Sequence, residues 1–375
     1  MSSAQPSLAS ARRLIVKIGS ALLVDAETGR LRRDWLAGLG DDLAALRDRG
    51  VETVVVSSGA IALGRERLGR TRKPVRMEEK QATAAVGQIG LAHAWEETLA
   101  PHGITVAQIL LTLADTEERR RHLNARSTLN ALLRFGVVPV INENDTVATD
   151  EIRFGDNDRL AARVAQMISA DTLILLSDVD GLYTRDPRID PTATRIPVLR
   201  EITPEIAAMA TPPLPGYSAG GMVTKLAAGR IALSAGCRMV IANGRKPRPL
   251  QALADGGPCT WFLPAATPRT ARKKWIAAAI DPAGSITVDD GAVAALKAGK
   301  SLLPAGVTAV EGTFERGDAV AVRGPAGELL GKGLAAYSAD DARRIVGCKT
   351  ADIERLLGFR GRDEMIHRDD LVLDL

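Results

Sequence analysis

Residues 139–158 hold the chain's densest set of groups able to grip a small polar ligand. An apolar run, Val137 to Ile141, ends in Asn142, Glu143, Asn144 and Asp145. A second polar knot, Gly155-Asp156-Asn157-Asp158, follows directly before a helical pattern. Short amides and carboxylates at the carboxyl end of a strand, beside a helix start, suit such binding. Either knot alone reads equally well as a loop with an ordinary N-cap. Taken with the other strand ends, the two favour a site.

Lys17 interrupts an otherwise apolar run and is followed by Gly19-Ser20. It either snorkels at a strand end or addresses a ligand, with free backbone N–H groups beside it for an anion. The stretch Ala219-Gly220-Gly221-Met222-Val223-Thr224-Lys225 runs a small-residue turn into a helix whose first turn carries a lysine. It is not a Walker A pattern, but its N–H groups and helix start can cradle phosphate. Alone, this pattern is as often only a turn. None of the four histidines, His93, His102, His122 and His367, sits in a strand-end cluster. That speaks against a histidine base or a Ser-His triad. Two lysines, glycine turns and one placed carboxylate suit phosphoryl transfer, which needs positioning and charge neutralisation more than covalent help. If the acceptor is a carboxylate, it is already ionised at neutral pH and needs no base.

The elements that must position these groups alternate. Strands are expected at Arg13–Ile18, Glu52–Val56, Ile104–Leu111, 137–141, Thr172–Leu176 and, as the last, Arg238–Ala242. Helices are expected over Arg33–Arg49, Ile61–Leu68, Lys80–Leu99, Asp158–Ala170 and Met222–Ala235. One more helix runs to Phe135, opened by a capping box of Asp115 and Glu118, with Arg119-Arg120-Arg121 on a solvated face. A short helix is expected at Thr203–Met209, and Val179–Pro191 reads as a surface loop. Thr211 to Gly221, with its prolines and glycines, reads as irregular. Pro139 is awkward in a central strand and implies an edge position or a bulge. The alternation implies an α/β fold, a mainly parallel sheet sandwiched by helices. Five strands end in polar or glycine clusters: Gly19-Ser20, Ser57-Ser58-Gly59, Asn142 to Asp145, Ser177-Asp178 and Asn243-Gly244. In such a sheet ligands bind outside the carboxyl ends of the strands. After Pro282 the runs shorten, as in a small β-rich domain.

At 375 residues the chain exceeds one compact core, so two domains are expected. Aromatics make up only 3%, which disfavours recognition of nucleic acid by base stacking. From Pro282 onward 12 Lys/Arg face 15 Asp/Glu, a net −3, which leaves +7 on the first 281 residues. That distribution fits a small anionic ligand better than a duplex. Cys237, Cys259 and Cys348 show neither disulfide nor zinc spacing, so no metal ligands are expected. The first ten residues lack an apolar core and no stretch reaches about 18 apolar residues, so a soluble cytoplasmic protein is expected.

Lys17-Ile-Gly-Ser, Ser57-Ser58-Gly59-Ala60, Val140 to Asp145, Gly155 to Asp158 and Gly220 to Lys225 together resemble the amino acid kinase family. Within it they are most similar to the members that phosphorylate glutamate. Ile286 to Ala292 and Ser301 to Gly306 are similar to the PUA domain appended to those members. The resemblance implies a kinase domain over 1–265, a linker over 266–281, a PUA-like domain over 282–362 and a tail over 363–375. It implies ATP-dependent phosphorylation of the L-glutamate side-chain carboxylate, the first step of proline synthesis, with Mg²⁺ arriving on ATP. Lys17 and Lys225 would neutralise the transferring phosphoryl group, and Asp158 would orient them. Ser58, Asp145 and Asn157 would hold glutamate, with Asp145 a partner for its ammonium. Lys17, Ser177, Asp178 and Ala219, Gly220, Gly221, Met222, Val223, Thr224 and Lys225 would line the ATP site. Tyr217-Ser218-Ala219 replaces a more glycine-rich approach, which touches the nucleotide contacts rather than the reaction. A glutamyl phosphate reductase, feedback by proline and a homo-oligomer, dimer or tetramer, are also implied. A PUA domain suggests RNA, but its net −3 argues for a structural or oligomer-forming role. The alternatives are another carboxylate or carbamate kinase of this fold, or an RNA-binding or RNA-modifying protein.

Overall fold

The structure is a computed structural model that describes residues 6–25, 27–70, 76–148, 157–210, 221–268, 270–271, 273 and 282–373. The chain divides into two compact units, Met1–Pro268 and Arg269–Leu375. Among the described residues no helix is long and apolar enough to cross a membrane.

The strands of the first unit are β1 (Arg13–Ile18), β2 (Glu52–Val56), β3 (Val106–Leu111), β4 (Val138–Glu143), β5 (Thr172–Ser177), β6 (Leu182–Tyr183), β7 (Arg195–Ile196), β8 (Val198–Leu199), β9 (Arg238–Asn243) and β10 (Cys259–Phe262). Eight form one sheet in the order β3-β4-β2-β1-β5-β9-β10-β8. From β3 to β9 every pairing is parallel; β10 lies antiparallel to β9 and parallel to β8. The principal helices are α1 (Ser20–Leu23), α2 (Arg33–Asp48), α3 (Ala60–Arg67), α4 (Met77–Leu99), α5 (Leu113–Glu117), α6 (Arg119–Arg134), α7 (Asn157–Ile168), α8 (Pro204–Ala208), α9 (Met222–Ser234) and α10 (Pro249–Ala254).

Side chains of a strand alternate between faces, and each sheet face has its own apolar core. On one face Leu14, Val16, Val55 and Leu176 pack with Trp35, Leu39, Leu91 and Trp95 from α2 and α4. On the other Ile15, Val54, Val56 and Leu175 pack with Leu129 of α6, Leu160 and Val164 of α7 and Leu226 of α9. Lys17 shares the parity of Ile15. The strand period alone therefore directs it to the face that α7 and α9 cover.

Five local expectations change. The helix read as one piece breaks at Glu118, whose ψ of 118° is extended. The capping box is Thr112 with Asp115, one turn earlier than expected. Of the arginine run, Arg120 and Arg121 are exposed but Arg119 is half-buried. Arg238–Asn243 is not the last strand, because the four-residue β10 follows; so short a run carries no usable periodicity. The loop over Val179–Pro191 contains β6, paired with β7, and Leu182 there is buried.

Pro139 lies in β4, which is neither an edge strand nor bulged. The Val138 N–H donates to the Thr105 carbonyl, on the β3 side. Alternation then turns the Pro139 nitrogen toward β2, where pairing begins only at Val140. The missing N–H therefore interrupts no ladder bond.

The second unit is a five-stranded sheet of β11 (Gly284–Val288), β12 (Val307–Gly312), β13 (Ala319–Arg323), β14 (Leu329–Leu334) and β15 (Leu371–Leu373), in the order β12-β11-β13-β14-β15. Its pairings are antiparallel except β11 with β13. Asp289 caps the helix Asp290–Lys297, accepting from the Ala292 N–H at 2.7 Å. Ile286, Val320, Val322, Tyr337 and Ile366 form a separate core.

Candidate active site

The five polar strand ends belong to β4, β2, β1, β5 and β9, which are consecutive in the sheet and all parallel. Their carboxyl ends therefore open on one edge, the position where open α/β sheets bind ligands. Gly59 starts α3 with φ +103°, a left-handed conformation that favours glycine. Gly244 N–H donates to the Ser177 carbonyl at 2.7 Å, which ties the β5 and β9 ends together.

Asp158, in the first turn of α7, is the buried hub. Lys17 Nζ approaches Asp158 Oδ1 at 2.5 Å and Lys225 Nζ approaches Oδ2 at 3.0 Å. The Thr224 hydroxyl also donates to Oδ2, at 3.0 Å. Burial alone would push the Asp158 carboxyl up. The two ammonium groups, first Lys17 and then Lys225, outweigh that and hold it well below the usual carboxylate range. Both lysines are themselves buried at 7% exposure. One carboxylate between two ammonium groups leaves one net positive charge fixed at the sheet edge.

Asn157 opens a second cluster one residue earlier. Its Nδ2 donates to the Ser57 carbonyl at 2.6 Å, to Ser58 Oγ at 2.9 Å and to Asn142 Oδ1 at 2.8 Å. Consecutive residues at the start of α7 thus reach two neighbourhoods, Asp158 toward β1 and α9, Asn157 toward β2 and β4. Asp145 is half-buried in the turn after β4, three residues beyond Asn142. Ser177 ends β5 and donates to Asp178 Oδ1 at 3.1 Å; Asp178 itself is exposed. Gly221 is the N-cap of α9, Met222 and Val223 lie in its first turn, and the Thr224 hydroxyl also donates to the Gly221 carbonyl at 2.8 Å. Ala219, Gly220, Gly155 and Asp156 lie outside the described residues.

Three participants carry no clear sequence signal. Asn142 was visible only as one member of a polar knot. It is buried, and it donates from Nδ2 to Gln88 Oε1 at 2.8 Å. Gln88 sits in the Ala-rich α4 with nothing nearby to mark it. Trp95, fully buried, donates from Nε1 to Ser57 Oγ at 3.2 Å and so stiffens the β2 end. Glycines make these contacts possible. A Cβ at Gly87 would fall on the Ala60 carbonyl oxygen, and one at Gly64 on that of Thr83. The α3 and α4 backbones therefore touch, and α4 comes close enough for Gln88 to reach β4.

Residues 12–243 match the model of the amino acid kinase family, and residues 284–357 that of the PUA domain. The chain is 64% identical over 367 residues to the glutamate 5-kinase of Paramagnetospirillum magneticum, covering 98% of this chain and 99% of that one. It is 60% identical over 370 residues to the glutamate 5-kinase of a Bradyrhizobium species, covering 99% and 98%. It is also 60% identical over 367 residues to that of Dinoroseobacter shibae, covering 98% and 100%.

Proposed function

The chain belongs to the amino acid kinase family, and we propose that it transfers the γ-phosphoryl group of ATP to the side-chain carboxylate of L-glutamate. The product is L-glutamyl 5-phosphate, and the step opens proline synthesis. The observation that carries this reading is the pair of buried lysines held on one ionised carboxylate at the open sheet edge. Phosphoryl transfer concentrates negative charge on the moving group, and fixed cations stabilise it without reorganising. Asp158 is held ionised far below neutral pH, so it serves as the anchor of the lysines and not as a proton acceptor. None is required, because the glutamate carboxylate is already ionised.

The start of α9 suits the phosphates of ATP. Its first N–H groups have no partners within the helix, and Lys225 adds a cation there. Ser177 and Asp178 flank the same side at the end of β5. Mg²⁺ would travel with ATP, bound mostly by phosphates and water, and would shield charge between them. Ser58 and Asn157 would hold the amino-acid end of glutamate, with Asp145 facing its ammonium. Acyl phosphates hydrolyse and cyclise readily, so a reductase that consumes the product is the expected partner, with proline as the feedback ligand in a cytoplasmic homo-oligomer.

The test is an ATP-dependent hydroxamate assay with Mg²⁺, hydroxylamine and either glutamate, aspartate, N-acetylglutamate or no acceptor. Hydroxamate from glutamate alone is the expected result. No hydroxamate from any acceptor, with folded protein, would sink the reading.

A further inference from the structure

The hydrogen bonds around Asn157 have a direction that backbone groups fix at both ends. The Ser57 carbonyl can only accept, so the Asn157 amide must turn its nitrogen that way. The Glu143 N–H can only donate, and it donates to Asn142 Oδ1 at 3.0 Å. Asn142 must then present Nδ2 on its other side, where Gln88 Oε1 accepts it. Gln88, Asn142 and Asn157 therefore form one polarised relay. At its far end both hydrogens of Asn157 Nδ2 are taken, shared among three acceptors, and Oδ1 is left as the atom offered to a ligand. Because Ser58 Oγ already accepts from Asn157, its own hydrogen is free to donate.

An acceptor at Asn157 and a donor at Ser58 are what an α-amino acid requires: the acceptor for the ammonium, the donor for the α-carboxylate. We infer that Gln88 is a positioning residue that braces this arrangement, holding Asn142 and through it Asn157 in the orientation the backbone groups dictate, and thereby favours an amino-acid substrate over a plain dicarboxylate. The inference rests on the glutamate reading above. Gln81 stands about two turns before Gln88 on the same face of α4 and donates to the Ala148 carbonyl at 3.2 Å. The two glutamines thus pin both ends of the segment 142–148, which carries Asp145.

Gln88→Glu keeps an acceptor oxygen at the end of the relay, and Gln88→Met keeps the length but removes it. The assays are KM for glutamate, KM for ATP, and inhibition by glutarate, which lacks the ammonium. Gln88→Met is expected to raise KM for glutamate about tenfold, the loss of roughly one hydrogen bond. Its KM for ATP and its Ki for glutarate should stay within about twofold. Gln88→Glu should hold KM for glutamate within about threefold of the parental protein. Should Gln88→Met not fold, Gln88→Lys, which presents only donors there, takes its place with the same expectation. An unchanged glutamate KM in the acceptor-free variant, equal losses in Gln88→Glu and Gln88→Met, or parallel weakening of glutarate and ATP would each overturn the inference. Failure of the parental protein to make glutamyl hydroxamate would instead remove the functional reading beneath it.

Discussion

Asp158→Asn separates the two things this carboxylate does. The substitution keeps size and shape but replaces one of two acceptor oxygens with an amide nitrogen. Whichever way the amide turns, one lysine loses its partner and faces a donor. In the parental site both ammonium groups lie within 3.0 Å of a fully buried carboxylate. Removing one partner from a buried pair costs about 3–5 kcal/mol, chiefly because the other charge is left buried without compensation. With a urea dependence of about 3 kcal/mol per M, the unfolding midpoint should fall by about 1 M or more. Three of the four tryptophans, Trp35, Trp95 and Trp261, lie in the first unit, so tryptophan fluorescence reports chiefly its unfolding. Turnover should fall about 10³-fold, because loss of one placed cation or donor at a developing negative charge costs roughly 10²–10³ and both lysines are disturbed. The pH dependence carries the same signature. The folded carboxyl is held below its unfolded value of 3.8. Its stabilisation is therefore complete above about pH 4 and is lost as pH falls through the folded value, by up to about 1.4 kcal/mol per pH unit. Asp158→Asn should lack that acid-side slope. A variant with a midpoint within about 0.3 M of the parental protein and near-normal kcat would refute the account of Asp158 as anchor.

Lys225→Ala should abolish measurable turnover, a loss of about 10³-fold or more, while circular dichroism stays native; near-normal kcat would remove this lysine from the mechanism. Gly87→Ala drives a methyl into the Ala60 carbonyl, so it should destabilise the first unit by about 3 kcal/mol and raise KM for glutamate as Gln88 shifts, read by urea unfolding and kinetics. Cys237 is fully buried and burial pushes its thiol well above the usual range, so iodoacetamide at pH 8 should leave it unmodified until the protein is denatured, as peptide mass mapping would record. Removing residues 282–375 should preserve glutamyl hydroxamate formation, because the first unit has its own cores on both sheet faces; a folded but inert truncation would contradict this.

Local pattern was sufficient for much of the fold. The apolar runs at Arg13–Ile18 and Glu52–Val56 became strands with those same ends, since four β-branched and aliphatic residues in so short a run have few other burials open to them. The helices over α2, α4 and α9 follow from spacing and from glycine or proline stops, and α7 from spacing, within a few residues. The candidate site was legible as residue types: Lys17, Ser58 and Asp145 at or just after strand ends, and Asn157, Asp158 and Lys225 in the first turns of helices that start where the parallel sheet opens. Parity even assigned Lys17 to its face, once α7 and α9 were known to cover it.

Which of these groups meet was decided only by the tertiary structure. The strand order places β1 between β2 and β5, and that order brings Lys17, Asp158 and Lys225 onto one another from three separate elements. Asp42, on α2, shows the same dependence. It accepts from the Leu250 and Gln251 N–H groups at 2.8 and 3.2 Å and so caps α10 across more than 200 residues of sequence. Gln88 is the extreme case, a polar residue on an Ala-rich helix whose contact with Asn142 exists because two glycines let α3 and α4 touch. Periodicity reports which face of an element is buried, because burial repeats with the backbone. It carries no record of what stands opposite that face, and hydrogen-bond polarity, ion pairing and capping across the fold depend on that alone.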